Sequence, residues 1–291
     1  MRRPTAIIMQ GGAMRGAFGA GVLYEFAKRG CYVDTVAAAS ASVPSAFYYA
    51  ARQPEEMRTI WTEKVGNNRF IRFDNLFLGK PIYDIDYLIE NIFRDACPLS
   101  TSALANSPTR VVLPLYNYQK KTLEIRTSHD DDFAEHVWSY LRLAMIIHDR
   151  HILWGTPFEP YVDGALDPFA LYKTKFLPED ARVLVIWNEQ KFNMHTIKYI
   201  GQKLFLALQA RHFPAEVKRM VRTRRALIDE GITVYNEFCT RMDPVVIKAN
   251  DVFLAGLDVV SRNNTYLTRL FEEGREKARV AFDTGVLKDF L

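Results

Sequence analysis

Three stretches of this chain hold side chains whose types and spacing could perform nucleophilic acyl transfer. The first is "VAAASASVPSAF", residues 36–47, where an apolar run gives way to small residues around Ser40 and Ser42. A serine on a sharp strand-to-helix turn needs small neighbours two positions before and after it, because the backbone folds tightly there. For Ser40 those positions hold Ala38 and Ser42; for Ser42 the second would be Pro44, which is sterically poor. The alternative for this stretch is a tight connection without chemistry. The second is "GGAMRG", residues 11–16. A glycine-rich turn between strand and helix offers free N–H groups at the positive end of a helix dipole, which can hold a phosphate, a dinucleotide or an oxyanion. A dinucleotide fits poorly, since Ala13 stands at the middle glycine position and the next strand runs into Ala-Ala-Ser rather than an acid. The third is "EPYVDGALDPFA", residues 159–170, in which Asp163 closes an apolar pair and precedes Gly164 and Ala165. Such a carboxylate can face a crevice as a base, or simply make an Asp-Gly turn. Glu159 and Asp167 beside it read as surface or turn-forming residues.

The elements that would position these residues are legible in the pattern. "TAIIM" predicts a buried first strand, and "RGAFGAGVLYEFAKRG" a helix with Phe18, Val22, Leu23 and Phe26 on one side and Gly30 at its end. "VDTVAAA" predicts a second strand and "ASVPSAFYYAAR" a second helix, with Pro44 tolerable only in its first turn. This opening is the signature of a parallel, helix-covered sheet. Further on, "DIDYLIENIFRDA" and "FAEHVWSYLRLAMII" predict helices. "TRVVLPLYNYQKKTLEIRT" predicts two antiparallel strands turning near residues 117–120, and "ARVLVIW" a late buried strand. After about residue 190 the pattern is mainly helical, with one more strand in "PVVIKA".

Composition bounds the function classes. The chain has 291 residues, 48% hydrophobic and 25% charged, with a net charge of +4, too small to imply nucleic acid as a partner. Cys31, Cys97 and Cys239 are far apart and form no metal-ligand pattern; sparse and odd in number, they fit a reducing compartment. "MRRPTAIIMQGG" has too short an apolar run for a secretory signal, and nothing is long and apolar enough to span a bilayer. A cytoplasmic location is expected. His148 and His151 lack a further ligand motif, and the acids of "SHDDDF" precede a helix, where they favour its positive end, so no metal is expected. "FPAEVKRMVRTRRALIDEG" predicts an amphipathic helix. Val217, Met220, Val221, Leu227 and Ile228 lie on one face, and Lys218, Arg222 and Arg225 on the other. The basic face is either a solvated surface or a dock for anionic lipid headgroups.

Taken together, the Gly-Gly-x-x-Arg-Gly turn, the elbow serine and the downstream Asp-Gly-Ala resemble the patatin-like phospholipases. "GVLYEF" after the turn and "YVDGALDP" around the aspartate fit as well, and "FLGKPIYDIDYL" and "LIDEGITVYNE" with "VVIKAND" resemble a bacterial-type branch with a helical C-terminal extension. The resemblance implies an α/β fold, a three-layer sandwich with a central mostly parallel sheet. It would comprise a hydrolase domain over residues 1–190 and a mainly helical extension over 191–291 packed on it. It implies hydrolysis of a phospholipid or other lipid acyl ester without a cofactor, on a membrane surface or in solution. Ser40 matches the family's nucleophile and Asp163 its general base, a dyad without histidine. Gly11, Gly12 and Ala13 match its oxyanion loop, and Arg15, with Gly16 behind it, the basic residue of that loop. Ala13, Ala38 and Ser42 replace glycines of the pattern. If Ala13 requires a positive φ it is strained by roughly 1 kcal/mol, whereas the Ser42 hydroxyl could cap a free N–H of the following helix. Those replacements leave a second class open, a non-catalytic lipid- or partner-binding module, and a third, an esterase for small soluble esters. Retention of both Ser40 and Asp163 favours the enzyme.

Overall fold

The computed structural model describes residues 2–76, 80–145, 156–188, 214–250, 260–288 and 290. A seven-stranded sheet organises them. Its strands are β1 (Thr5–Met9), β2 (Thr35–Ala38), β3 (Arg110–Asn117), β4 (Thr122–Thr127), β5 (Tyr161–Asp163), β6 (Arg182–Trp187) and β7 (Val245–Lys248). The order is β4-β3-β2-β1-β6-β7, parallel throughout except for β4 and the short β5, which both run antiparallel to β3. The mostly parallel sheet expected from the βαβ opening is therefore present, with the antiparallel hairpin at one edge.

Helices cover both faces. They are α1 (Gly16–Lys28), α2 (Ser42–Ala50), α3 (Pro54–Thr59), α4 (Ile85–Tyr87), α5 (Thr101–Ala105), α6 (Phe133–Leu143), α7 (Ala170–Lys173), α8 (Ala215–Arg222), α9 (Arg224–Met242) and α10 (Asn264–Asp283). The expected helix at "DIDYLIENIFRDA" is α4 continued as a π-helix over Leu88–Ala96. The two faces follow from strand alternation. Ile7 and Met9 of β1, Val36 and Ala38 of β2, and Leu184 and Ile186 of β6 point into a core shared with α1, α2, α6 and α10. Ile8, Ala37, Val183 and Val185 point the other way, against Phe169, Leu171 and Tyr172 near α7 and Ile228 and Phe238 of α9.

The C-terminal region is built into this frame. β7 adds a parallel edge strand beside β6. α10 lies backbone to backbone on α1. A Cβ at Gly21 would stand 1.9 Å from the Phe271 carbonyl oxygen, and one at Gly274 would stand 2.0 Å from the Phe18 oxygen. Only glycine permits that separation at both crossing points. The expected basic helix differs from the sequence reading. It breaks at Thr223 into α8 and α9, and Thr223 Oγ1 turns back to the Arg219 carbonyl at 3.0 Å, competing with helix continuation. The histidine pair His148 and His151 lies outside the described residues.

Candidate active site

β2 ends at Ala38, and the chain turns sharply before α2 begins at Ser42. Ser40 occupies the turn with φ 52, a conformation that an L residue with a Cβ adopts only at a cost. Val43 N–H donates to the Ser40 carbonyl at 2.9 Å and Ser42 N–H to the Ala39 carbonyl at 3.2 Å, so the strained residue is held from both sides. Ala38 is wholly buried between its neighbours in the sheet. Pro44 falls in the first turn of α2, as its missing N–H requires.

The glycine-rich loop leaves β1 and enters α1 through a single 3-10 turn, Ala13–Arg15. Gly12 has φ 155 and Ala13 φ 50, so the third glycine position of the motif does need a positive φ, and alanine occupies it under strain. Gly11 marks where the three sequence clusters meet. A Cβ placed there would be 2.8 Å from the Ser40 Cβ and 3.5 Å from the Ala165 Cβ. Gly16 packs close to Trp61 and to the Ala41 carbonyl behind the elbow, and Arg15 is buried.

Register explains how Asp163 reaches Ser40. β2 pairs with the first half of β3, up to Ala37 against Val112, and β5 pairs with the second half, Asp163 against Leu115. β5 thus lies along the path that β2 would have followed, running toward it, and the C-terminal ends of the two strands face each other. Gly164 continues onto Pro114 so closely that a Cβ would be 2.5 Å from its carbonyl oxygen. Asp163 is fully buried. Its Oδ1 accepts the Ala165 N–H at 2.8 Å, and its Oδ2 has no closed hydrogen bond among the described residues. Burial pushes the carboxyl up to about 7, against the opposing pull of the Ala165 N–H, the Ser40 hydroxyl and the Arg224 guanidinium. The Ser40 hydroxyl thus favours the charged carboxylate without forming a full bond to Oδ2, as is common before a substrate closes the geometry.

Other sequence readings resolve differently. Ser42 does not cap α2. Its hydroxyl donates to the Gln10 carbonyl at 2.7 Å, tying the elbow to the glycine loop. Asp167 is buried, not superficial. It accepts the Phe169 N–H at 3.0 Å and pairs with Lys173 at 2.7 Å. Asp130 accepts from Thr127 N–H and Oγ1, and Asp132 from the Tyr140 hydroxyl, and among the described residues no group of acids, histidines and cysteines is placed to hold a metal. Two site residues have no signal in the sequence. Asn188 follows β6 and bonds beneath the glycine loop. Arg224, at the start of α9, donates to the Leu166 carbonyl at 3.3 Å.

A strained serine, a desolvated carboxylate and a loop whose Gly11, Gly12 and Ala13 N–H groups donate to no other described residue now stand at one point of the sheet. The sequence pattern of patatin-like phospholipase matches residues 7–167, a span that begins in β1 and ends just past Asp163. The chain belongs to the patatin-like phospholipase family. Among solved structures, VipD from Legionella pneumophila is similar to this patatin-like protein with a TM-score of 0.43 and 10% identity, over 97% of this chain and 67% of that one. No curated protein matches this patatin-like chain by sequence. Membership implies hydrolysis of lipid acyl esters in general terms. Among the described residues, no helix is long and apolar enough to cross a membrane.

Proposed function

We propose that this patatin-like protein hydrolyses lipid acyl esters through an acyl-enzyme on Ser40, with Asp163 as the general base. The carrying observation is the meeting of the strained Ser40 with a wholly buried carboxylate whose Oδ2 has no closed bond among the described residues. Serine is a weak nucleophile until a base removes its proton. Asp163, poised near neutral pH, accepts that proton as Ser40 Oγ bonds to the ester carbonyl carbon. The carbonyl oxygen becomes an oxyanion facing the N–H groups of Gly11, Gly12 and Ala13, none of which donates to another described residue. Each well-aimed donor is worth about 3 kcal/mol in the transition state. Collapse of the intermediate expels the alcohol, which takes the proton from Asp163. Water, deprotonated by the same carboxylate, then releases the fatty acid and restores Ser40.

The departures from the glycine pattern support this reading over a binding module. Ala13 adopts the required φ, Ala38 fits its buried position, and Ser42 gains a bond to the loop. Labelling the native protein with a fluorophosphonate and locating the adduct by mass spectrometry tests it. The expected adduct is on Ser40 and is lost in Asp163→Ala. A folded protein that takes no label, beside an active control hydrolase, would favour the binding module.

A lipid surface as the working environment is part of the proposal. The apolar side of α8, Val217, Met220 and Val221, packs on Tyr116, Val162 and Leu166 next to Asp163. Arg222 and Arg225 are exposed, with Lys218 half-buried beside them. α8 seated at the site with Arg222 exposed at its end, and Arg225 exposed at the start of α9, suit anionic headgroups. Sedimentation with phosphatidylserine-containing vesicles, but not with phosphatidylcholine alone, is the expected result. Equal binding to both would refute this part.

A further inference from the structure

Asn188 stands directly after β6 and is wholly buried. Its Nδ2 donates to the Gln10 carbonyl at 2.7 Å and to Ser42 Oγ at 3.2 Å. Ser42 Oγ in turn donates to the same Gln10 carbonyl at 2.7 Å. Two donors from two different elements therefore hold a single carbonyl at the point where the glycine loop begins. The peptide that follows is trans, since the described chain has no cis bond, so the Gln10 C=O and the Gly11 N–H point in opposite directions. Fixing the carbonyl toward Asn188 and Ser42 turns the Gly11 N–H away from both. Gly11 is half-buried, a Cβ built on it would stand 2.8 Å from the Ser40 Cβ, and its N–H donates to no other described residue.

We infer that Asn188 is a positioning residue that, acting with Ser42, aims the Gly11 N–H at the oxyanion formed on Ser40. The inference rests on the reading of Ser40 as the nucleophile. The surroundings of Asn188 fit this role better than simple packing. Its Oδ1 is buried without a partner among the described residues, a placement that opposes folding. A leucine of similar size would fill the space without that cost, so what the asparagine adds is its pair of Nδ2 bonds. α1 makes room for the amide by having glycine at position 19, where a Cβ would lie 3.1 Å from Oδ1.

The test uses the full chain with Asn188→Leu and Ser42→Ala, hydrolysing p-nitrophenyl butyrate. Active sites are counted by fluorophosphonate labelling, so that misfolded protein does not enter the rate. The expected result for Asn188→Leu is a kcat per labelled site lower by about 100-fold with KM little changed, because the lost interaction exists only in the transition state. Affinity for a trifluoromethyl ketone, which forms a tetrahedral oxyanion on serine, falls in step with kcat. The pH midpoint of the rate stays where the native enzyme has it, since Asp163 is untouched. Ser42→Ala, which removes one of the two donors, shows a smaller loss of the same kind. A kcat per labelled site within about threefold of the native value in both variants would overturn the inference while leaving the acyl-enzyme reading intact. A native protein that neither labels nor turns over would overturn that reading, and the inference with it.

Discussion

Replacing Asp163 by asparagine should make this protein more stable at neutral and alkaline pH while removing its activity. The carboxyl is fully buried, and burial lifts it from 3.8 to about 7. A raised native value means that the folded state holds the proton more tightly than the unfolded chain. The associated stability is fully present below 3.8 and is lost as the pH rises to about 7. Across that window the loss amounts to ~4 kcal/mol, at about 1.4 kcal/mol per pH unit. Asparagine is neutral at every pH and does not share this slope, although a less well matched amide adds a pH-independent offset. Urea unfolding of native and variant protein from pH 5 to 9 measures the difference directly. The advantage of Asp163→Asn should grow from pH 5, level off above about pH 7, and stay level to pH 9. A difference that stays constant over the whole range would show that the carboxyl titrates at its ordinary value. The desolvation argument for a base poised near neutrality would then be wrong.

Four further outcomes follow from the same geometry. The kcat/KM of the native enzyme on a soluble ester should rise with pH to a plateau above about 7, because only the ionised Asp163 can take the Ser40 proton; a profile flat from pH 5 would exclude it as the base. Ser40→Gly should be inactive yet more stable than Ser40→Ala by about 1 kcal/mol in urea unfolding, since glycine relieves the strain at φ 52. Ala13→Gly should likewise gain about 1 kcal/mol at φ 50, with turnover retained. Gly274→Ala should destabilise the fold by roughly 2 kcal/mol or more, because the new Cβ would meet the Phe18 carbonyl oxygen at 2.0 Å and push α10 off α1; thermal unfolding within a degree of native would contradict that close packing.

The parts of the site that were legible in the sequence are those governed by local sterics. Small residues on both sides of Ser40 can be recognised because a turn at φ 52 tolerates little bulk next to it. "GGAMRG" can be recognised because a strand that reverses into a helix within a few residues needs glycine. β1, β6 and β7 were readable because apolar runs bounded by turn residues pair as strands, and "PVVIKA" became β7 within a mainly helical region. The break in the basic helix is invisible to periodicity, which does not register the Thr223 hydroxyl returning to the Arg219 carbonyl.

Tertiary structure decided everything that depends on residues distant in the chain. No spacing rule shows that β5 runs head-on into β2 along β3, yet that register is what sets Asp163 beside Ser40. The same holds for the titration of Asp163, because desolvation is the sum of all the neighbours that exclude water, and for Arg224, whose charge acts across space. Asn188 carries no motif, and the elbow pattern that includes Ser42 does not show what its hydroxyl bonds to. The two meet only because β6, α2 and the end of β1 converge on the Gln10 carbonyl. The sequence determined which residues could do the chemistry, since side-chain type and local turn geometry are properties of neighbouring residues. Only the folded chain decided which of them meet, because contact is a property of distance in space.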